Sequence, residues 1–246
     1  MPIDSSERSR QGNVQGSVYA SLRKSIINLN LAPGTAVSEK EISLLYKVSR
    51  TPVREAFINL SKEGLVQVIP QRETKVSLID FGRVEQEFFL RESLEMAVME
   101  PFIHVHTASH IAELEACVET QAEAGEGNEY IKFLNADDRF HSIFFRAAGH
   151  DLGWQVLESM CGHYHRVRLL SIWLNGIARD IVGQHREILA AIGAKDIAGV
   201  RACLSRHIHK LDTEEELLRE KYPDYFRSRR NEDAFDVDFS GLSIRT

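Results

Sequence analysis

Four residues in the second half of the chain have the types and the spacing of a divalent-metal site. Asp137 and His141 are four residues apart, so on a helix their side chains share one face. His185 and His207 each continue a stripe of apolar residues at helical spacing, which directs both imidazoles toward a core. One carboxylate and three imidazoles suit Zn²⁺, Ni²⁺ or Mn²⁺, so the pattern predicts a divalent metal ion as cofactor.

Hydrogen-bonded core residues are the alternative interpretation of the same pattern. A single inward histidine is more often a satisfied core residue than a ligand. Four inward polar groups are harder to explain in this way, because each carries a desolvation cost. Asp138 is the reserve ligand if the helical phase is shifted by one residue.

A second set of polar residues, near the start of the chain, has the pattern of a DNA-reading helix. The N-terminal end of a predicted helix carries polar residues on the side away from its apolar face: Ser49, Arg50, Thr51 and Arg54. The first turns of a recognition helix enter the major groove, where an arginine contacts guanine or phosphate. Lys40 on the preceding helix and Arg72 at a hairpin tip are suited to backbone phosphates. Charge alone fits solvated surface cations equally well, and the order of the surrounding elements favours DNA.

These surrounding elements have the order of a winged helix-turn-helix, which we place at residues 17–79. Apolar spacing predicts a first helix over residues 17–28. Ser38 with Glu41 forms a capping box for a short second helix, and Pro52 fits the first turn of the third. A β-hairpin follows, with strands expected at residues 66–69 and 75–78. Residues 1–16 are expected to be a flexible N-terminus.

The rest of the chain is helical in pattern and predicts an antiparallel all-α bundle over residues 80–226. The fold class is therefore mainly α, with two domains. Residues 227–246 are polar and charged, and we expect a disordered tail there. Six helices are expected in the bundle, at residues 81–106, 109–124, 128–148, 151–175, 178–193 and 196–221.

Residues 48–56 read V-S-R-T-P-V-R-E-A, a run that resembles the GntR family of bacterial transcription regulators. This run is far more specific than a generic helix-turn-helix pattern. The resemblance implies that double-stranded DNA is contacted by Lys40 and by the four polar residues of the third helix. We expect a homodimer on a near-palindromic operator, because two recognition helices meet half-sites about one helical turn apart. The wing departs from the family, since members often have glycine near its tip and residues 71–74 here all carry side chains.

Two further runs resemble the FCD effector domain of FadR-type GntR regulators, in its six-helix VanR-like form. They are D-x-x-F-H at residues 137–141 and H-R-x-I-L-x-A-I at residues 185–192. Metal-binding members of that domain use one Asp and three His at these motif positions. The resemblance therefore assigns a metal to the same four residues that the spacing selects.

The resemblance also implies an effector site. In related domains the metal and a nearby arginine hold an organic acid, and Arg91 matches that arginine. Its alternative role is an i, i+4 pair with Glu95 on the same helix. Arg168 and Trp173 are further pocket candidates. We expect a homodimeric repressor or regulator that senses a small carboxylate, such as a sugar acid or a short metabolic acid.

The charge distribution agrees with two domains of different function. The 246 residues have a net charge of −6, which by itself argues against a nucleic-acid partner. Residues 1–80 hold 11 Lys plus Arg and 8 Asp plus Glu, a net of +3, and the remainder holds 19 and 28, a net of −9. The basic part is the one with the DNA-reading pattern, so the average conceals the asymmetry.

Composition and motifs exclude several other classes. Three widely spaced cysteines fit neither a disulfide framework nor a thiolate zinc site. With neither a membrane-length apolar run nor a signal sequence, we expect a cytoplasmic protein without a membrane partner. H-E-x-x-H and nucleophile motifs are absent, so we expect no enzyme. A metal-dependent hydrolase remains a remote alternative, and a metal that is purely structural, or is itself the signal, remains a closer one.

Overall fold

The computed structural model describes residues 5–69, 73–209 and 214–228. Its first part is three helices and a small antiparallel sheet with strand order β1-β3-β2. The pairing of β1 with β3 was not expected from the sequence, since β1 is only two residues long. The elements are α1 (Ser5–Ile27), β1 (Ala36–Val37), α2 (Glu39–Tyr46), α3 (Arg50–Lys62), β2 (Val66–Ile69) and β3 (Glu73–Val76).

The second part is a helical bundle, so the mainly α fold class is confirmed. α5 packs on α6 and α9, and α10 packs on α4 and α9. The bundle comprises α4 (Phe81–Val105), α5 (Ala108–Glu126), α6 (Tyr130–Ala147), α7 (Asp151–Met160), α8 (Gly162–Asn175), α9 (Ala178–Gly193), α10 (Ile197–Ile208), α11 (Glu215–Lys221) and a 3₁₀ turn (Pro223–Tyr225).

The bundle differs from the six expected helices in two places. The helix expected over residues 151–175 is divided at Cys161, whose φ of −95° and ψ of 41° leave the helical region. The division brings Gly162 against Leu65 of the first domain, a tertiary contact that the continuous apolar period does not reveal. The helix expected over residues 196–221 is described as α10 and α11, and residues 210–213 lie outside the described residues.

The ends of the chain also differ from expectation. Helix α1 begins at Ser5 rather than at residue 17, and residues 5–16 contain no proline that would prevent this. At the other end, Arg227 donates from Nη1 to Asp80 Oδ2 at 3.0 Å, so this residue belongs to the folded domain. Residues 229–246 of the expected tail, and Arg72 of the expected wing tip, lie outside the described residues.

Local signals in the helix-turn-helix explain its geometry. Ser38 Oγ accepts a hydrogen bond from the Glu41 backbone N at 3.1 Å and donates to the Glu41 carboxylate, which confirms the capping box. Ser49 occupies the N-cap position of α3 without a capping hydrogen bond from its side chain. Gly64 ends the recognition helix with a φ of 75°, a left-handed conformation that favours glycine.

Each domain has its own buried core. Val53, Leu60 and Leu65 lie in the core of the first domain, and Phe102 and Phe140 lie in that of the bundle. Within the described parts of the chain, no helix combines the length and the apolar character needed to cross a bilayer.

Candidate metal centre and ligand cavity

The structure brings the four predicted metal donors together inside the bundle. Helix α6 supplies Asp137 and His141, α9 supplies His185 and α10 supplies His207. One donor atom from each lies within 4.8 Å of the others, and all four side chains are buried. The phase of α6 therefore selects Asp137 rather than the reserve ligand Asp138. The two inward faces that periodicity predicted for α9 and α10 meet at this point.

The three imidazoles point their Nε2 atoms at one another. His141 Nε2 lies 3.2 Å from His207 Nε2, and His185 Nε2 lies 3.3 Å from His207 Nε2. Asp137 completes the group, with carboxylate oxygens 3.7 Å from His141 Nε2 and 3.6 Å from His185 Nε2.

The other ring nitrogens face oxygen acceptors, which fixes the tautomers. His185 Nδ1 lies 2.6 Å from Gln121 Oε1, and the amide nitrogen of Gln121 donates to Asp137 at 3.2 Å, which orients that amide. His207 Nδ1 lies 3.0 Å from Gln184 Oε1. A proton on each Nδ1 leaves a lone pair on each Nε2.

This donor set fits a divalent cation. His141 Nδ1 lies 2.7 Å from Glu95 Oε2, so a buried carboxylate faces the third imidazole on the side away from the cluster. Three imidazole lone pairs that meet in a buried space repel one another unless a positive charge lies between them, and the Asp137 carboxylate beside them is paired with Arg168. A shared proton joins only one pair of imidazoles at a time, whereas a cation satisfies all of them.

A layer of ion pairs covers this cluster on one side. Arg168 donates from Nη2 to Asp137 and from Nη1 to Asp138 at 2.7 Å. Arg91 Nε donates to Glu95 Oε1 at 2.5 Å, which is the i, i+4 pair given as its alternative role. Burial alone would raise the pKa of Glu95, but Arg91 and His141 outweigh burial and lower that pKa to about 2.

A cavity of about 330 Å³ lies on the other side of this layer. Arg91 and Arg168 line it, as predicted for pocket residues, and so does Trp154. Of the described residues that line the cavity, none is one of the four metal donors. The cluster and the cavity are thus separate spaces joined by the ion pairs of Asp137 and its neighbours.

Trp173, the third predicted pocket residue, does not line this cavity. It lies five residues after Arg168 on α8, which turns it about 140° around the helix axis. It is 39% exposed and lies beside Tyr130 and Lys132 in a shallow surface depression. Trp154 of α7 takes the place expected of an aromatic lining residue. Sequence reasoning missed it because the break at Cys161, which folds α7 back along the cavity, has no local signal.

The predicted DNA-contacting residues lie together on the surface of the first domain. Lys40, Ser49, Arg50, Thr51 and Arg54 are all exposed. Arg54 is paired with a residue that was not predicted as part of the site. Its Nε donates to Glu39 Oε1 at 2.9 Å and its Nη2 donates to Glu39 Oε2 at 3.1 Å. The predicted DNA-reading surface, formed by these five residues, therefore contains an acidic residue paired with its Arg54.

Comparisons with known sequences agree with this architecture. Residues 14–76 match the family described as bacterial regulatory proteins, gntR family, and residues 87–210 match the FCD domain. The HTH-type transcriptional repressor RspR of Escherichia coli K12 is 32% identical over 213 residues, which cover 87% of this chain and 93% of that protein. A Streptomyces ambofaciens HTH-type regulator is 34% identical over 209 residues, 85% of this chain and 88% of that protein.

Solved structures share the fold. Escherichia coli McbR/YncC matches with a TM-score of 0.72 at 21% identity, over 85% of this chain and 98% of that one. A putative GntR regulator from Rhodococcus sp. RHA1 matches with a TM-score of 0.68 at 22% identity, over 85% and 98%. The chain belongs to the GntR family of bacterial transcription regulators and carries an FCD domain as its second domain. Its class is thus a DNA-binding regulator rather than an enzyme.

Proposed function

We propose that this GntR-family regulator is a cytoplasmic homodimeric repressor whose FCD domain senses a small organic acid. The observation that carries the proposal is the arginine-lined cavity, which lies directly against the DNA-binding domain. Four arginines line its wall, so the acid is a carboxylate small enough for about 330 Å³. The proposal that the protein represses rather than activates transcription rests on the similarity to RspR, which is a repressor by name.

The four buried donors hold a divalent ion in this proposal. Zn²⁺, Ni²⁺ and Mn²⁺ all suit one carboxylate and three imidazoles. When bound, the ion supplies a positive charge that neutralises the converging lone pairs and fixes Asp137. Asp137 in turn accepts a hydrogen bond from Arg168, which lines the cavity. The ion would therefore influence the cavity wall through the ion pair between Asp137 and Arg168.

A purely structural ion, or an ion that is itself the signal, is the second candidate. The separation of the donor cluster from the cavity favours it, since none of the four donors lines the cavity among the described residues. Scanning calorimetry of the full chain separates the candidates. Metal alone raises the unfolding temperature in either case, and a further rise with a carboxylate at constant metal supports sensing.

Selection of operators from random duplexes tests the DNA-binding part. Two recognition helices of a dimer read half-sites about one helical turn apart, so the selected sites should be near palindromes. Sedimentation of the complex should give two chains per duplex. Recovery of non-palindromic sites bound by one chain would refute the dimeric proposal.

A further inference from the structure

The charges around the cavity are unevenly neutralised. Four arginines line it, and the two inner ones, Arg91 and Arg168, already pair with buried carboxylates. Arg139 on α6 also lines the cavity and is exposed. Within residues 5–69, 73–209 and 214–228, Arg139 has no acidic partner. The charge available to a ligand therefore lies at Arg139 rather than at the residues that the family resemblance selects.

The fourth arginine belongs to the DNA-binding domain. Arg23 on α1 lines the cavity together with Ile27 of the same helix. Its Nε donates to Glu63 Oε2 at 2.7 Å, and its Nη2 donates to the backbone carbonyl of Glu158 on α7. Glu63 is the C-cap residue of the recognition helix α3. Arg23 thus joins the cavity, the end of the recognition helix and the bundle.

Helix α8 makes a second connection between the cavity and the DNA-binding domain. Arg168 on one of its faces lines the cavity, whereas His163 and Arg166 point to the other domain. His163 Nε2 donates to the carbonyl of Gly64 at 3.1 Å. Arg166 Nη1 donates to the carbonyl of Ser77, just after β3, at 2.7 Å. The wall of the cavity is therefore attached to both ends of the wing.

We propose that the cavity is an interdomain anion site in which Arg139 and Arg23 together bind the acidic group of the ligand. The apolar part of the ligand packs against Ile27, Trp154 and Leu157, which also line the cavity. This inference rests on the proposed function, the sensing of an organic acid, and adds how the bound acid affects the DNA-binding domain. An anion that accepts from Arg23 competes with Glu63 for the same guanidinium, so occupancy loosens the contact between α1 and the end of the recognition helix.

Inorganic sulfate is the probe for the site, because two guanidinium groups bind it without reference to the identity of the ligand. The chain has two tryptophans, and only Trp154 lines the cavity, so W173F leaves a single fluorescent reporter at the site. Sulfate titrated into full-length W173F at constant ionic strength, adjusted with chloride, should give a saturable change in Trp154 fluorescence. In W173F/R139A the sulfate affinity should fall about tenfold or more.

A matched control removes an arginine elsewhere. Arg186 on α9 is exposed, pairs with Glu119 and does not line the cavity, so W173F/R186A should bind sulfate like W173F. R23A in the same W173F background should lower the sulfate affinity about as much as R139A does. Because Arg23 also holds the domains together, circular dichroism establishes that this variant is folded. Absence of a saturable response in W173F, or an equal affinity in the R139A variant, would overturn the anion site.

Hydrogen exchange of the full chain tests the coupling. Sulfate should raise the exchange rates of the amides of residues 58–65 in the wild type and should leave them unchanged in R139A. Sulfate binding without faster exchange would refute the release of Glu63. Neither measurement uses operator DNA or a metal ion. If sulfate does not bind, the proposed function is therefore not contradicted. If operator binding or metal binding fails, the sulfate measurements can still be interpreted.

Discussion

Arg54 and Glu39 form a two-point ion pair across the helix-turn-helix, with Nε–Oε1 and Nη2–Oε2 distances of 2.9 and 3.1 Å. Glu39 is the first residue of α2 and Arg54 lies in the second turn of α3, so the pair spans the turn between the two helices. The hydrogen bond from Arg54 lowers the pKa of Glu39, which keeps the carboxylate ionised. The planar guanidinium is thereby held in one orientation at the predicted DNA-reading surface.

Replacement of Arg54 should selectively weaken operator binding. An arginine that reads guanine contributes to affinity for the operator more than to affinity for random DNA, so R54A should lose about tenfold or more on the operator. Thermal stability should change little, because the pair is exposed. Fluorescence anisotropy with operator and scrambled duplexes measures both affinities.

Lys62 provides the control for that measurement. It is an exposed cation at the opposite end of the same recognition helix, so K62A should bind the operator nearly as well as the wild type. If R54A loses as much affinity for scrambled DNA as for the operator, Arg54 contacts a phosphate instead of reading a base.

Replacement of His141 should abolish metal binding. The purified protein should contain about one divalent ion per chain, and H141A should contain almost none, because the remaining donors no longer enclose the ion. Mass spectrometry of the acid-digested protein measures the content. His209 is a suitable control, since it pairs with Glu92 at 2.9 Å outside the cluster, and H209A should retain its ion. A wild-type protein that binds no added Zn²⁺ would refute the site.

The stability of the fold should depend on pH through His163. Burial, assisted by Arg166, lowers the pKa of His163 from 6.5 to about 3, while the Gly64 carbonyl and Asp80 oppose the shift and Arg83 adds to it. Between these two values the unfolded chain binds a proton that the folded chain does not. Stability is therefore complete above pH 6.5 and falls as the pH is lowered, by about 1.4 kcal/mol per pH unit from this group.

Comparison with H163Q isolates this contribution. Glutamine does not titrate, so between pH 6.5 and 5.0 the wild type should lose about 2 kcal/mol more unfolding free energy than H163Q. All other titratable groups are the same in both proteins, so their contributions cancel in the difference. Urea denaturation at each pH gives the free energies, and parallel pH profiles would contradict the prediction.

Gly162 should be sensitive to the addition of a single methyl group. A Cβ at this position would lie 2.8 Å from Leu65 Cδ2, and Leu65 is fully buried in the core of the DNA-binding domain. G162A should therefore destabilise the protein by about 1–3 kcal/mol. G183A on α9 is the matched control, because nothing lies within 4 Å of its added Cβ. It should stabilise the protein by about 0.5–1 kcal/mol, and calorimetry that ranks the two variants in the reverse order would refute the argument.

Periodicity and caps predicted the local elements well, because they depend on neighbours in sequence. The capping box at Ser38 and the inward phase of Asp137 and His141 are both set within one or two helical turns. The division at Cys161 could not be predicted in this way, since it accompanies a contact between Gly162 and Leu65, nearly one hundred residues earlier in the chain. The contribution of Arg23 to the cavity depends on the packing of two domains and was missed for the same reason.

The acidic partner of Arg54 has a consequence for how the regulator behaves among the many sequences of a chromosome. Affinity for arbitrary DNA grows with the number of uncompensated cations that replace counterions at phosphates. Glu39 compensates one such charge on the predicted DNA-reading surface, and the hydrogen bonds that it accepts come from Nε and Nη2 of Arg54 rather than from Nη1. We therefore expect fewer copies of the protein to be held at arbitrary sites than if Arg54 were unpaired, which leaves more of them free to find the operator.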